Sequence, residues 1–406
     1  MNKKKIINDP VHGFIKLPSD LIYEIIQHPF FQRLRRIRQL GLSEFVYPGA
    51  VHTRFHHALG AMHLMNMALD TLRSKGVEID DQEYEATQIA ILLHDLGHGP
   101  MSHALEQVIL KGIKHEKLSY LLMMEINLHL GGTISLAIDI FMDRYPRKFF
   151  HQLVSSQLDM DRMDYLQRDS FFTGVTEGKI GSSRIIKMLS VYKDELVVEE
   201  KGIYSIENFL TARRLMYWQV YLHKTNLSTE QMLIQLIKRA KYLVRNDPGF
   251  QIPPPLDLLF KKDLSFEDFQ KKSNYLYAFA SLDDYDVWAL IKQWPGHHDK
   301  VLSILSQRLL ERKLFKVILS NEKEALKEVK PLKEEIAGLL NIEKRLCRHF
   351  VVKGTTSNEA YMAQGDTINI LTKNGKVLDI AQASDLPNIK ALRKIVKKYY
   401  LCWLDI

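Results

Sequence analysis

The chain has 406 residues, of which 46% are hydrophobic and 26% charged, with 20 Gly, 13 Pro and a formal net charge of +8. This composition is typical of a folded globular protein and excludes a collagen-like, linker-like or disordered chain. The two cysteines exclude a disulfide scaffold and a cysteine-rich zinc module. The length predicts about two to three domains.

We expect neither a secretory signal nor a membrane span. The basic N-terminus is not followed by an apolar stretch, and no run of ~18 apolar residues occurs. A reducing cytoplasm is therefore the expected location. The positive charge is compatible with a nucleic-acid or polyphosphate partner, and equally with an ordinary solvated surface.

The first half of the chain predicts a hairpin followed by helices. Residues 5–16 predict a strand, an Asn-Asp-Pro turn and a second strand. The segment 83–96 is apolar on nearly every side, so we expect it to be a buried helix that ends at Gly97. The other predicted helices are 19–40, 53–74, 101–111, 115–128, 133–143 and 150–169.

The second half changes character along its length. Residues 195–204 predict a hairpin with Gly202 in the turn, and turn formers at 246–255 predict a linker between a core at 1–245 and a C-terminal region at 256–406. A further hairpin is predicted at 367–380. The remaining predicted helices are 206–223, 266–276, 283–293, 300–313, 322–346 and 387–399. The expected fold class is mainly α, a helical core with short N-terminal and mid-chain hairpins and a small α+β C-terminal subdomain.

Histidines are concentrated in one part of the chain. Eight of the 16 lie between His52 and His115, and imidazole is the commonest metal ligand and the usual acid or base near neutral pH. His94-Asp95 stands at the end of the most apolar helix, where an unpaired carboxylate would cost several kcal/mol. A bound metal removes that cost. A His-Asp pair that caps the helix end without a metal is the alternative.

Other residues favour the metal. The helix that carries His57 can run antiparallel to the helix that ends at His94 and bring the two imidazoles together. Asp161, Tyr165 and Asp169 recur at every fourth position and share one helix face. Nitrogen and oxygen ligands without thiolate suit Mn, Fe, Zn or Mg. The candidate ligands are His57, His94, Asp95 and Asp161.

Cationic side chains and further imidazoles indicate an anionic substrate. The glycine-rich loop after the apolar helix lets the backbone approach a ligand, and it is followed by His98, His103, Glu106 and His115. A metal, several imidazoles and an arginine cluster together suit hydrolysis of a phosphate ester. The cations in question are Arg54, Arg162, Arg213 and Lys224.

These residues resemble the HD-domain phosphohydrolase superfamily, whose metal ligands follow the order H…HD…D. Longer stretches resemble its dNTP triphosphohydrolase branch, which includes the vertebrate sterile-alpha-motif/HD-domain enzyme. The matching stretches are KIINDPVHGFI, FQRLRRIRQLG, PGAVHTRFHHALG, HDLGHGPMSHALE, DMDRMDYLQRD and YLHK. The resemblance covers roughly residues 5–245, so we expect no sterile alpha motif.

The resemblance implies hydrolysis of a deoxynucleoside triphosphate to the deoxynucleoside and tripolyphosphate. It implies that the metal, with Asp95 among its ligands, polarises the α-phosphate and a bound water. It makes His115 the general acid toward the 5′ oxygen, oriented by Glu106 where the vertebrate enzyme has Asp. The implied phosphate contacts are Arg54, His98, His103, Arg162 and Arg213, and the implied sugar contacts are Gln39, Tyr165, Asp169 and Tyr221.

A regulatory nucleotide site and a homo-oligomer, dimer or tetramer, are also implied by the resemblance. Gln27 stands where the vertebrate enzyme has an Asp that reads guanine. An amide cannot accept two N–H bonds from guanine as a carboxylate does, so we expect activation by GTP to be weakened, changed or absent. The residues that match the regulatory site are Lys5, Ile6, Asn8, Gln32 and Arg35.

Three other functions stay open. Another HD phosphohydrolase, such as a nucleotide phosphatase or a cyclic-nucleotide or alarmone hydrolase, would use the same metal ligands and release different products. A nucleotide sensor without turnover would not need all four ligands. Nucleic-acid binding rests on the net charge and the basic segment 33–38, and a steep fall of affinity with salt would support it.

Overall fold

The computed structural model describes residues 5–110, 112–323, 329–358, 367–387, 389 and 396–405. Within them the chain is mainly α with three small sheets, as predicted. The helices of the first part are α1 (Asp20–Gln27), α2 (Pro29–Gln32), α3 (Arg54–Ser74), α4 (Asp81–Leu93), α5 (His103–Ile109), α6 (His115–His129), α7 (Ser135–Phe141), α8 (Lys148–Val154), α9 (Met160–Thr173), α10 (Ser182–Met188), α11 (Ile203–Met216) and α12 (Lys224–Asn246).

The second part adds shorter helices and most of the strands. Its helices are α13 (Pro254–Phe260), α14 (Phe266–Lys271), α15 (Ser273–Ser281), α16 (Asp284–Gln293), α17 (Lys300–Leu310), α18 (Val329–Leu340) and α19 (Ile380–Ala383). The strands of the whole chain are β1 (Ile6–Asp9), β2 (Gly13–Lys16), β3 (Leu189–Tyr192), β4 (Glu195–Glu199), β5 (Lys316–Ser320), β6 (Val351–Asn358), β7 (Asn369–Leu371), β8 (Val377–Asp379) and β9 (Val396–Trp403).

The sheets join distant parts of the chain. The N-terminal hairpin β1–β2 and the hairpin β7–β8 are confirmed. Strand β7 also pairs in parallel with β4, so the sheet β3-β4-β7-β8 contains strands from both sides of residues 246–255. The third sheet has the antiparallel order β5-β9-β6. The division of the chain at residues 246–255 stays a prediction.

The predicted hairpin at 195–204 is wrong in register. Strand β4 pairs with the preceding β3, with Tyr192 opposite Glu195. The turn therefore lies at Lys193 and Asp194, whose φ angles of 52° and 59° suit the tight turn of a two-residue hairpin. Gly202 instead lies in a short 3₁₀ turn before α11. Strand β3 was not predicted, and it begins directly after the last residue of α10.

Several predicted helices are shorter or absent. The segment 150–169 divides into α8 and α9, because the Asp159 side chain accepts the Arg162 backbone N–H at 2.7 Å and begins a new helix. The segment 19–40 is interrupted at Pro29, and only 329–340 of the segment 322–346 is α-helical among the described residues, with a 3₁₀ helix beginning at Lys344.

The predicted C-terminal helix at 387–399 is wrong in its last part: residues 387 and 389 are helical, but the chain is a strand from residue 396 on. Residues 396–403 form β9, which pairs with both β5 and β6; residues 388 and 390–395 lie outside the described part of the chain. The aromatic side chains of this segment favour a strand. The sheet itself forms because the remote strands β5 and β6 lie on either side of β9.

Helices α3, α4 and α9 pack together and form the frame of the site. Gly60 lets α9 approach α3 closely, because a Cβ there would lie 2.0 Å from Asp164 Oδ1 and 2.2 Å from Arg168 Nη2. Gly97 does the same for the loop after α4, where a Cβ would lie 2.0 Å from the carbonyl oxygen of His115. Gly60 therefore lets α9 lie against α3, and Gly97 lets the loop after α4 lie against the start of α6. None of the helices in the described residues is both long and apolar enough to cross a membrane.

A buried arginine fixes this loop to the C-terminal region. Arg33 is 1% exposed and donates to the carbonyl oxygens of Leu96 at 3.1 Å, His98 at 2.7 Å and Leu282 at 2.6 Å. Burial lowers the pKa of Arg33 to about 10, which still leaves it cationic at neutral pH. One side chain therefore satisfies three backbone acceptors that have been removed from water.

Replacing Arg33 with Met should lower the free energy of unfolding by about 3 kcal/mol or more, because each buried carbonyl left without a donor costs about 1–3 kcal/mol. Denaturant unfolding measures the change. Arg345→Met is the control, since Arg345 is largely exposed and, among the described residues, forms its ion pair with the nearby Glu343; it should change stability by less than about 0.5 kcal/mol. Equal stability of both variants would contradict the prediction.

Candidate metal centre and active site

The four predicted metal ligands converge. His57 lies in the first turn of α3, His94 and Asp95 directly follow α4, and Asp161 lies in the first turn of α9. Asp161 Oδ1 is 3.1 Å from His57 Nε2 and 3.4 Å from His94 Nε2. Asp95 completes the group, with Oδ1 3.4 Å from His94 Nε2 and Oδ2 3.8 Å from His57 Nε2.

The imidazole orientations leave a lone pair toward this centre. His57 Nδ1 is 2.8 Å from Asp164 Oδ2, and His94 Nδ1 is 2.6 Å from the Ile91 carbonyl oxygen, so the hydrogen-bond network assigns the proton of both rings to Nδ1. Both Nε2 atoms are buried and have no hydrogen bond within the described residues. They face carboxylate oxygens, which are acceptors too. A divalent cation fits between these acceptors, and the outer hydrogen bonds are those usual for metal-bound histidines.

The electrostatics of the centre also favour a cation. Burial lowers the pKa of His57, but Asp161 and Asp164 outweigh it and raise the pKa to about 10. Burial also opposes ionisation of Asp161, yet both imidazoles hold the pKa of its carboxyl below the usual range. The site therefore stabilises positive charge at the position that the imidazole Nε2 atoms share.

Asp95 is ionised by a second set of neighbours. Its carboxylate forms an ion pair with the buried Arg54, which also donates to Ser102 Oγ at 3.0 and 3.2 Å. Burial raises the pKa of Asp95, but Arg54, His94 and His98 together hold it well below its usual value. Arg54 thus compensates the carboxylate at Oδ2, the oxygen that lies 3.8 Å from His57 Nε2, while Oδ1 faces His94 and His98.

The predicted acid and its orienting carboxylate also lie together. The His115 backbone N–H donates to Glu106 Oε1 at 2.9 Å, and His115 Nδ1 is 3.3 Å from the same oxygen. The His115 ring stacks on His98, with centroids 3.7 Å apart. Burial, Arg54 and His115 lower the pKa of His98 well below its usual value, so His98 is neutral. Its Nε2 is 3.3 Å from Asp95 Oδ1.

A cavity of about 510 Å³ connects these groups with the predicted sugar contacts. Glu106 and His57 do not line the cavity themselves, but they contact the lining residues His115 and Asp161. Arg213 is buried and donates to Gln157 Oε1 at 3.0 Å. The side chain of His103, at the start of α5, lies outside the described part of the chain. The predicted residues that line the cavity are Gln39, Arg54, His94, Asp95, His98, His115, Asp161, Arg162, Tyr165, Asp169 and Tyr221.

The end of the cavity that carries the predicted sugar contacts contains further contacts that the sequence did not indicate. Asp169 Oδ1 is 2.7 Å from His52 Nε2, and the Tyr221 hydroxyl donates to Asp169 Oδ2 at 2.8 Å. Tyr217 and Glu230 also line the cavity; burial raises the pKa of Glu230 to about 7. Asp164 was missed as well: it lies one helical turn after Asp161, but the prediction used only the residues at every fourth position, Asp161, Tyr165 and Asp169.

The predicted regulatory residues lie at the surface in two groups. Lys5 stands over the Tyr23 ring, and Ile6 and Asn8 are exposed near it on β1. Gln32 and Arg35 form the second group, in which Gln32 Oε1 accepts a hydrogen bond from Arg35 Nε at 2.9 Å. Among the residues that the structure describes, no hydrogen bond or ion pair joins the two groups.

The basic segment 33–38 is largely engaged within the chain. Arg33 is buried, Arg36 forms an ion pair with Asp283, and Arg38 Nη2 is 3.4 Å from Glu44. These contacts use the charges on which the nucleic-acid hypothesis rested, so the segment gives that hypothesis little support.

Comparisons with known proteins agree with this geometry. A family model described as HD domain matches residues 54–169, and one described as HD associated region matches residues 180–246. A crystal structure of a phosphohydrolase from Bacteroides thetaiotaomicron is 52% identical, with a TM-score of 0.95 over 99% of this chain and 100% of that chain. The chain belongs to the HD-domain family of metal-dependent phosphohydrolases.

Two curated relatives extend the comparison. The uncharacterized protein YwfO of Bacillus subtilis is 31% identical over 98% of this chain and 92% of its own length. The deoxynucleoside triphosphate triphosphohydrolase SAMHD1 homolog of Dictyostelium discoideum is 32% identical over 61% of this chain. This chain spans 52% of the length of that relative.

Replacing Asp161 with Asn should lower the affinity for a divalent metal by at least about 100-fold, because the charged oxygen between the two imidazoles is lost. Elemental analysis after dialysis at fixed free Mn²⁺ gives the bound metal per chain. Glu116→Gln is the matched control: it removes a carboxylate from the same cavity but outside the ligand group. Full metal content in Asp161→Asn would refute this ligand.

Proposed function

We propose that the protein hydrolyses deoxynucleoside triphosphates to the deoxynucleoside and tripolyphosphate. The observation that carries the proposal is that one cavity is lined by three of the four candidate metal ligands, by Arg54 and Arg162, and by the Tyr165–Asp169–Tyr221 group. In a deoxynucleoside triphosphate, the arginines would bind the triphosphate, the metal would act at the reacting ester, and the Tyr165–Asp169–Tyr221 group would contact the sugar. Similarity to the Dictyostelium discoideum SAMHD1 homolog adds support.

Unpaired donors support an anionic ligand at the phosphate end. Arg162 Nε and Arg213 Nε are buried and have no hydrogen-bond partner within the described residues. Burial lowers the pKa of Arg162, but Asp159 outweighs it and raises the pKa above its usual value, so the side chain stays cationic. Phosphate oxygens would satisfy these donors, and a guanidinium is suited to bidentate contact with them.

The residues assigned to the reaction have separate tasks. A divalent metal held by His57, His94, Asp95 and Asp161 would supply Lewis-acid polarisation of a phosphate oxygen and of a water. His115 donates the proton to the departing 5′ oxygen, and Glu106 holds its ring from the Nδ1 side. Neutral His98 adds no second positive charge beside Arg54 and can contact a phosphate oxygen as a hydrogen-bond donor.

The residues at the other end of the cavity would bind the sugar. Gln39 Oε1 is a buried acceptor without a partner among the described residues and would accept the 3′-OH. Asp169 is held by His52 on one oxygen and by Tyr221 on the other, so its position is fixed before substrate binds. The rings of Tyr165 and Tyr221 meet edge to face at 6.2 Å and would leave no room for a 2′-OH.

We also propose a second, regulatory nucleotide and a homo-oligomer. The face of the β1–β2 hairpin that carries Ile6 and Asn8 also presents Phe14, and Ile6 and Phe14 are 58% and 68% exposed. Apolar side chains at this exposure support burial against another copy of the chain. The regulatory contacts would be Lys5, Ile6, Asn8, Gln32 and Arg35.

A product assay tests the main proposal. The purified protein with Mn²⁺ or Mg²⁺ is offered each dNTP and GTP, alone and in pairs, and products are separated by ion-exchange chromatography. We expect deoxynucleoside and tripolyphosphate. Orthophosphate or pyrophosphate would replace the proposal with another phosphohydrolase reaction, and turnover only in pairs would reveal an activator. Absence of turnover with metal bound would favour a nucleotide sensor.

Tyr221 provides a test of sugar selection. Tyr221→Ala should raise the ratio of ATP to dATP turnover, as kcat/KM, by about tenfold, because the ring no longer excludes the 2′-OH. Tyr221→Phe keeps the ring and should keep the ratio, while losing the hydrogen bond to Asp169. If Ala and Phe give the same ratio, the ring does not exclude the 2′-OH.

A further inference from the structure

The turn of the N-terminal hairpin reaches the back of the metal centre. His12 Nε2 is 2.6 Å from Asp164 Oδ1, and Asp164 Oδ2 is 2.8 Å from Nδ1 of His57. The three side chains are 6%, 0% and 0% exposed. A continuous buried contact therefore connects a residue near the N-terminus with a metal ligand that lies on another helix.

Asp164 is held by two elements at once. Arg168 donates to Oδ2 through Nε and to Oδ1 through Nη2, both at 2.9 Å. Arg168 in turn donates to Asp9 Oδ2 at 2.7 Å, and Asp9 Oδ1 accepts the His12 backbone N–H at 2.9 Å. The hairpin turn thus supplies an imidazole to the carboxylate and a carboxylate to the arginine.

The position of the Asp164 carboxylate depends on the balance between these donors. Arg168 binds both oxygens from one side, whereas His12 and His57 each bind one oxygen from elsewhere. Without the His12 donor, Arg168 would be the remaining donor to Oδ1 among the described residues, and its pull would turn the carboxylate out of alignment with His57 Nδ1 at Oδ2. Gly60 shows how tight the space is, since even a Cβ there would overlap Asp164 Oδ1.

We propose that His12 is a positioning residue of the metal centre. Acting through Asp164, it keeps the His57 ring turned so that Nε2 faces His94 and Asp161. The β1–β2 hairpin is then part of the support of the metal site. The inference rests on the proposed metal ligands and not on the substrate, so it is independent of whether dNTPs are hydrolysed.

Metal affinity tests the inference without any nucleotide. Mn²⁺ is titrated into metal-free protein by calorimetry, and circular dichroism of the metal-free forms reports folding. His12→Ala should weaken Mn²⁺ binding by about 10–100-fold, as loss of an outer-shell partner does. His12→Gln, whose amide can donate to Asp164 Oδ1, should recover at least about half of the loss on a logarithmic scale.

Two further variants make the result decisive. Lys16→Ala changes an exposed residue of the same hairpin and should bind Mn²⁺ like the parent protein. His12→Phe keeps a ring beside His63 without a donor, and it replaces His12→Ala if that variant does not fold. Loss of affinity in Phe with recovery in Gln supports the proposal. Parent-like affinity in folded Ala or Phe variants, or equal loss in Phe and Gln, overturns it.

Discussion

The arrangement of the site depends on positive charge among a group of buried ligand atoms, which a divalent metal or a protonated His57 supplies. Two imidazole lone pairs and the carboxylates of Asp95 and Asp161 share one small volume at the ends of three helices. Burying even one uncompensated carboxylate costs several kcal/mol. The surrounding structure therefore has to supply positive charge and exact orientation, and both are visible in the residues that surround the ligands. The backbone contributes as well, because Gly60 and Gly97 allow the helix and loop contacts that hold the ligands at these positions.

Much of the candidate site was predictable, because its residues lie on regular helices. The apolar period of the helices indicates which face is buried, so spacing made a group of His57, His94 and Asp161 possible, and the resemblance to the HD-domain superfamily selected it. Asp164 and His12 could not, since they are 152 positions apart and their contact depends on how the hairpin turn docks on α9. Strand β9 was not predicted for a similar reason. It is stabilised by pairing with the remote strands β5 and β6, and the local sequence does not show that pairing.

The loop after α4 shows how backbone strain is tolerated at the site. Met101 and Ser102 have φ angles of 55° and 49°, a region that non-glycine residues rarely occupy. Asp284, at the start of α16, accepts the Met101 N–H at 2.6 Å and the Arg38 N–H at 2.8 Å. Burial raises the pKa of Asp284 to about 6, which those two donors only partly offset. The strained conformation is maintained from outside the loop, and it places the Ser102 hydroxyl on Arg54.

Support for the metal ligands thus comes from opposite parts of the chain. Asp95 is compensated by Arg54, whose position depends on Ser102 and hence on the C-terminal helix α16. His57 is oriented by Asp164, whose position depends on the N-terminal hairpin. Neither support lies within the helix that carries the ligand. Displacement of either segment would therefore misalign one ligand while the other three stayed in place, and a site with one misaligned ligand binds its metal less tightly without losing its fold. The metal centre is in this way coupled to surfaces of the molecule that contact no substrate.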